Sequence, residues 1–120
     1  MPAPILIVDD DAATRDALAL LLVAAGYATV TAADGQQALS YLRSQPAPSL
    51  VLLDLLMPVA DGWQFLAERA KDPVLAAVPV VVLSAGGKSL RAAALTLGAD
   101  DFLEKPTDPD DLLAVIGRYA

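Results

Sequence analysis

The strongest constraint in this chain is a set of short Ile, Leu and Val runs with no polar alternation: Pro4 to Val8, Leu50 to Leu53 and Val80 to Leu83. Successive side chains of a strand point to opposite faces, so a strand with one wet face alternates apolar and polar residues. Runs that are apolar at every position need cover on both faces. That is the situation of strands in a parallel sheet with helices on each side. A weaker run from Tyr27 to Ala32 and a short one from Asp101 to Glu104 complete the set.

Helical patterns lie between the runs. Leu18, Leu21, Leu22 and Ala25 repeat at helical spacing, and Gly26 follows as a C-terminal stop. Asp34 with Gln37 three residues later has the form of a capping box, opening a helix through Ala38, Leu39 and Leu42. Gly62 to Ala70 reads as a third helix capped by Asp61, and Ser89 to Leu97 as a fourth stopped by Gly98. Asp108-Pro109 opens a fifth, with Pro at its first position and Asp110 and Asp111 at the positive end of the dipole. Strand-then-helix units repeated in this way imply an α/β doubly wound sheet with right-handed crossovers. Pro46-Ala47-Pro48 reads as a turn between units, and no repeat or linker divides the chain. One domain over residues 1–120 is expected, a length that builds a core without disulfides or structural metals.

Composition narrows the chemistry. The absence of Cys removes thiol catalysis and thiolate metal sites, and the absence of His removes Ser-His triads and imidazole ligands. Carboxylates, hydroxyls and lysines must carry any chemistry. A net charge of -7 disfavours contact with nucleic acid or an anionic membrane, where phosphates need clustered cations. The opening Met1-Pro2-Ala3-Pro4 lacks a positive segment, and the first cation is Arg15, so no secretory signal is read. Ala17 to Ala33 is uncharged but changes period partway, as helix then strand rather than a membrane span. A cytoplasmic location is expected.

In doubly wound sheets, ligands bind beyond the carboxyl ends of the strands. The first strand ends in Asp9-Asp10-Asp11, the third in Asp54, the fourth in Ser84 and the fifth in Lys105-Pro106. Taken singly, these are ordinary turn, cap and surface residues, and Asp11 is read as a cap. Together they bring carboxylates, a hydroxyl and an ammonium to one rim. Crowded carboxylates repel unless a cation neutralises them, and hard oxygen ligands suit Mg²⁺ or Mn²⁺. With a lysine beside it, such a pocket suits a phosphoryl group that one carboxylate attacks.

The segments Ile5 to Asp11, Leu53-Asp54-Leu55-Leu56-Met57-Pro58 with Asp61-Gly62, Leu83-Ser84-Ala85, and Gly98 to Pro106 appear in this order. The chain thereby resembles the receiver domain of bacterial two-component response regulators over nearly its whole length. The resemblance implies a flavodoxin-like (βα)5 fold with strand order 2-1-3-4-5. It implies Asp54 as phosphoacceptor from a phosphohistidine donor, either a sensor histidine kinase or a histidine phosphotransfer protein. By the same resemblance, Asp10 is a direct Mg²⁺ ligand, Asp9 its acidic neighbour, and Leu56 a donor through its backbone carbonyl. Ser84 matches the switch hydroxyl, Lys105 the phosphate-binding lysine and Phe102 the switch aromatic, although a core aromatic on a short strand reads equally well. Lys105-Pro106 is usually a cis bond in the family. A downstream effector would meet the face of the fourth helix, fifth strand and fifth helix. The family promotes its own phosphorylation and dephosphorylation and is not otherwise an enzyme.

Several departures stand out. Thr107 replaces a frequent Phe that helps pack the last helix, so the family's common dimer face does not follow automatically. Ser84 stands where Thr is commoner, and Gly86-Gly87 gives the following loop unusual conformational freedom. Trp63 reads as packing. A haloacid-dehalogenase-type phosphohydrolase would need an Asp where Leu56 stands, and a flavodoxin would need a Ser, Thr and Gly loop where Asp9-Asp10-Asp11 stands. A receiver-like scaffold that is never phosphorylated, and a phosphate carrier in a relay or hybrid kinase, remain as alternatives.

Overall fold

The computed structural model describes residues 3–55, 61–85 and 87–120. The apolar runs form the strands β1 (Ile5–Val8), β3 (Leu50–Leu53) and β4 (Val80–Ser84), and every residue in them is buried. The two less apolar runs form β2 (Thr29–Ala32) and β5 (Asp101–Glu104). All pairings are parallel, and the order is β2-β1-β3-β4-β5. The unbroken runs therefore occupy the centre, and the mixed ones the edges, where one side of the strand lacks a neighbour.

Alternation along the strands divides the core into two. Ile5, Ile7, Leu50, Leu52, Val81 and Leu83 face α1 (Ala12–Ala24) and α6 (Pro109–Tyr119), meeting Leu22, Leu112, Val115 and Ile116. Leu6, Val8, Val51, Leu53, Val80, Val82 and Phe102 face the opposite layer. That layer comprises α2 (Gly35–Ser44), α3 (Asp61–Lys71), α4 (Pro73–Ala76) and α5 (Lys88–Thr96). Trp63 packs half-buried against this second cluster, in line with its reading as packing.

Local chemistry sets the helix ends. Asp11 caps α1, accepting from the Ala13 N–H at 3.1 Å and the Thr14 hydroxyl at 2.8 Å. Asp34 caps α2 through the Gln37 N–H at 2.8 Å, while Gln37 reaches back to the Ala33 N–H, one residue before the usual capping-box target. Gly26 and Gly98 follow α1 and α5 with φ of 98° and 101°, the left-handed region that favours glycine.

Six helices stand among the described residues where periodicity alone indicates five. The extra one, α4, is a single turn started by Asp72 and Pro73, the same signal that opens α6. One turn is too short for a repeat to register. The face expected from the fourth helix, fifth strand and fifth helix is therefore α5–β5–α6. Thr107, between β5 and α6, donates to the Glu104 carbonyl at 3.1 Å.

Candidate functional site

Register alone places the acidic residues. Val8 pairs with Leu53, so Asp9 and Asp54 are the next residues on adjacent central strands. The Asp54 N–H donates to the Val8 carbonyl at 3.0 Å and the Asp9 N–H to Ala32 at 3.2 Å, continuing the ladder one step past the strands. Both residues are buried, at 3% exposure for Asp9 and 9% for Asp54, whereas Asp10 is exposed. Carboxylate oxygens of Asp9, Asp10 and Asp54 all lie within 4.8 Å of one another.

On the other side of β3, Ser84 ends β4 fully buried and pairs with Glu104, and its carbonyl accepts the Lys105 N–H at 2.9 Å. The Lys105-Pro106 bond is cis. The Lys105 Nζ lies 3.3 Å from Asp9 Oδ2 and 3.6 Å from Asp54 Oδ2, so one ammonium spans the two buried carboxylates. Phe102 is buried beside a cavity of about 90 Å³ that Gly87, Lys88, Arg91 and Glu104 also line. Leu56 and Gly86 lie outside the described residues.

Two supporting contacts escape sequence reasoning. Asp9 Oδ1 accepts the Asp11 N–H at 2.9 Å, and Arg15 Nη1 donates to the Asp9 carbonyl at 2.7 Å. Arg15 is the first cation after the acidic run, one helical turn in, and that spacing is the only signal available. Asp11 itself stays outside the cluster as a cap. Hydrogen bonds from Thr14 and the Ala13 N–H hold its carboxyl below the usual value.

The donor set fits a small dication. Mg²⁺ takes oxygen ligands at about 2.1 Å, so oxygens on opposite sides of one ion sit about 4.2 Å apart, close to the spread here. Three carboxylates against one ammonium leave two negative formal charges, which a dication offsets. An apolar groove of about 500 Å³ adjoins the cluster through Lys105 and is lined by Leu18 and Leu21 of α1, Thr107 and Leu112. It has no such donor set and is not where a metal or phosphoryl group would bind.

A doubly wound parallel domain with an acidic rim and a lysine is the architecture of a phosphoryl-accepting signalling module. The family model described as "Response regulator receiver domain" matches residues 5–117, and the chain belongs to that family. It is 43% identical over 113 residues to the probable transcriptional regulator ycf27 of Guillardia theta, covering 93% of this chain and 43% of that protein. The chain spans about half the length of the curated relatives it matches. Among solved structures, a putative response regulator from Chloroflexus aurantiacus J-10-fl superposes with a TM-score of 0.91 at 32% identity, over 99% of this chain and 98% of that one. The receiver domain of sensor histidine kinase PA1611 from Pseudomonas aeruginosa PAO1, with a magnesium ion coordinated in its active site cleft, gives 0.88 at 27%, over 99% and 98%.

The chain is thus a receiver domain of two-component signalling, a family whose general function is phosphorylation on Asp, whose members generally bind Mg²⁺ and whose partner is a histidine kinase. Among the described residues, no helix is long and apolar enough to cross a membrane.

Proposed function

We propose that Asp54 is the phosphoacceptor. Its carboxylate oxygen attacks the phosphorus of a phosphohistidine; the P–O bond forms as the P–N bond breaks, and the imidazole nitrogen leaves with the electron pair. Asp9, Asp10 and Asp54, with the Leu56 carbonyl, would hold Mg²⁺ or Mn²⁺, which supplies charge neutralisation between carboxylates and phosphoryl oxygens. Lys105 exchanges part of its carboxylate contact for a phosphoryl oxygen, and Ser84 donates its hydroxyl to another. The observation that carries this reading is the Lys105 ammonium lying between the buried carboxylates of Asp9 and Asp54.

The partners follow. The donor is a sensor histidine kinase or a histidine phosphotransfer protein, and the receiver catalyses no reaction beyond gaining and losing its own phosphoryl group. Movement of Ser84 toward the phosphoryl group leaves room for Phe102 to rotate, which alters the α5–β5–α6 face that an effector reads. The acidic surface keeps this domain off nucleic acid and membranes, and the location is cytoplasmic.

The test is transfer from a phosphorylated histidine donor. Wild type should be labelled in Mg²⁺, while Asp54→Asn or added EDTA should abolish the label. Undiminished labelling of Asp54→Asn would overturn the assignment and favour a scaffold or another acceptor.

A further inference from the structure

Gly62 stands in the first turn of α3. A Cβ added there would lie 2.8 Å from the Asp54 carbonyl oxygen, 2.9 Å from Leu55 Cα and 3.1 Å from Leu55 Cδ2. The two closest atoms are main chain, so no flexible side-chain end can swing aside. We infer that Gly62 is a positioning residue for phosphorylation: its missing side chain lets α3 seat directly on the Asp54–Leu55 backbone and so fixes where the Asp54 carboxylate sits. The inference rests on the reading of Asp54 as phosphoacceptor.

The argument turns on which side yields to an added methyl group. Helix α3 is held firmly: Phe65 and Leu66 are 0% exposed, and Arg69 donates to the carbonyls of Ala76, Val78 and Gly98. On the strand side, Asp54 and Leu55 lie past Leu53, the last residue at which β3 is in register with β1 and β4, and the Asp54 N–H carries the ladder one step on to the Val8 carbonyl. A methyl at position 62 therefore displaces Asp54 and Leu55 rather than the helix. Displacement carries the Asp54 carboxylate away from Lys105 and from the oxygens of Asp9 and Asp10. Sites of this kind respond steeply to such shifts, because coordination and attack both depend on sub-ångström placement.

Gly117 is the internal comparison. It lies within α6, and a Cβ there would meet nothing within 4 Å. Alanine at either position improves helix propensity. Only position 62 should affect the site.

The experiment compares wild type, Gly62→Ala, Gly117→Ala and Asp54→Asn by calorimetric Mg²⁺ titration and by labelling from a phosphohistidine donor. Gly62→Ala should lose roughly 10- to 100-fold in Mg²⁺ affinity and label more slowly, the range seen when the groups orienting a metal ligand are changed. Gly117→Ala should match wild type. Should Gly62→Ala melt at the assay temperature, all four proteins are compared in trimethylamine N-oxide, which favours the folded state. A double variant, Gly62→Ala with Phe65→Leu, loosens α3 so that it can back away; it should regain part of the Mg²⁺ affinity while losing further stability. Equal Mg²⁺ affinity in wild type and Gly62→Ala, or a double variant that loses affinity and stability together, overturns the role of Gly62. Absence of Asp54 labelling in wild type overturns the phosphoacceptor reading instead, so the two failures are separable.

Discussion

Arg69→Met tests how the fold anchors the far end of α5. The Arg69 guanidinium is buried on the α3 side of the sheet, at 3% exposure. Its Nε and Nη2 donate to the Val78 carbonyl at 3.1 and 2.6 Å, Nη2 also to Ala76 at 3.2 Å, and Nη1 to Gly98 at 3.0 Å. Asp100 Oδ2 lies 3.3 Å away and also accepts the Val80 N–H at 2.8 Å. One side chain thus ties together the end of α4, the start of β4 and the turn between α5 and β5. Burial lowers the Arg69 pKa and the Asp100 charge opposes that shift. Methionine keeps the apolar stem and leaves the carbonyls without a donor. Each buried orphan costs about 1–3 kcal/mol, while relief of guanidinium desolvation offsets part of that. The Val78 carbonyl is the fully buried acceptor and the Asp100 side chain is 38% exposed, so the net loss should be about 1–3 kcal/mol, the cost of one buried orphan. With an m-value of about 1–3 kcal/mol/M, the urea midpoint should fall by roughly 1 M at unchanged m, as read by circular dichroism. A midpoint within about 0.3 M of wild type, or a rise in stability, would refute the reasoning, since either means that desolvation outweighs these contacts.

The remaining predictions concern the rim. Asp11→Ala should lower the melting temperature at pH 7, and the gap should close in acid. The folded pKa of Asp11 is depressed from 3.8, so its contribution is complete above that value and is lost as pH falls through the lower folded pKa; a gap that persists at the acid end in a melting series contradicts the capping account. Asp10→Asn should remove a like charge from the cluster, raising apo stability slightly while weakening Mg²⁺-dependent stabilisation, which in wild type reaches about 2.7 kcal/mol near a hundred times Kd. Thermal melts with and without Mg²⁺ read both, and an unchanged Mg²⁺ shift would remove Asp10 from the ligand set. Ser84→Ala should still accept a phosphoryl group but respond weakly at α5–β5–α6, because a charge-assisted hydrogen bond is worth roughly 1.5–3 kcal/mol of population shift. Chemical shifts with beryllofluoride, standing in for the phosphoryl group, would show wild-type changes at Lys88 to Leu97 and Phe102 if Ser84 plays no part.

Much of this was legible because strand burial leaves a direct trace in composition. The runs of β1, β3 and β4 are apolar at each core position because both faces are covered, and their C-terminal residues define the rim without any tertiary information. The edge strands were weaker signals for the same reason: β2 and β5 are only partly buried, so Thr31 and Glu104 can be polar. Arg69 left no trace, since a cation beside Glu68 and Lys71 on an amphipathic helix looks like part of a solvated face until the segments it binds have folded around it. The contact between Gly62 and Asp54 is likewise invisible in spacing, because it depends on how closely a helix seats against a strand end. Lys105 could be placed at the rim from its strand, but its position between Asp9 and Asp54 depends on side-chain reach across two neighbouring strands.

The central claim is that the phosphoryl group resides on Asp54, and the acyl phosphate can be located chemically. Borohydride reduces an acyl phosphate to an alcohol, so wild type phosphorylated in Mg²⁺ and then reduced should yield homoserine in place of aspartate at position 54 alone, found by peptide mass spectrometry. Reduction at Asp9 or Asp10, or a fully labelled protein with Asp54 intact, would contradict the account.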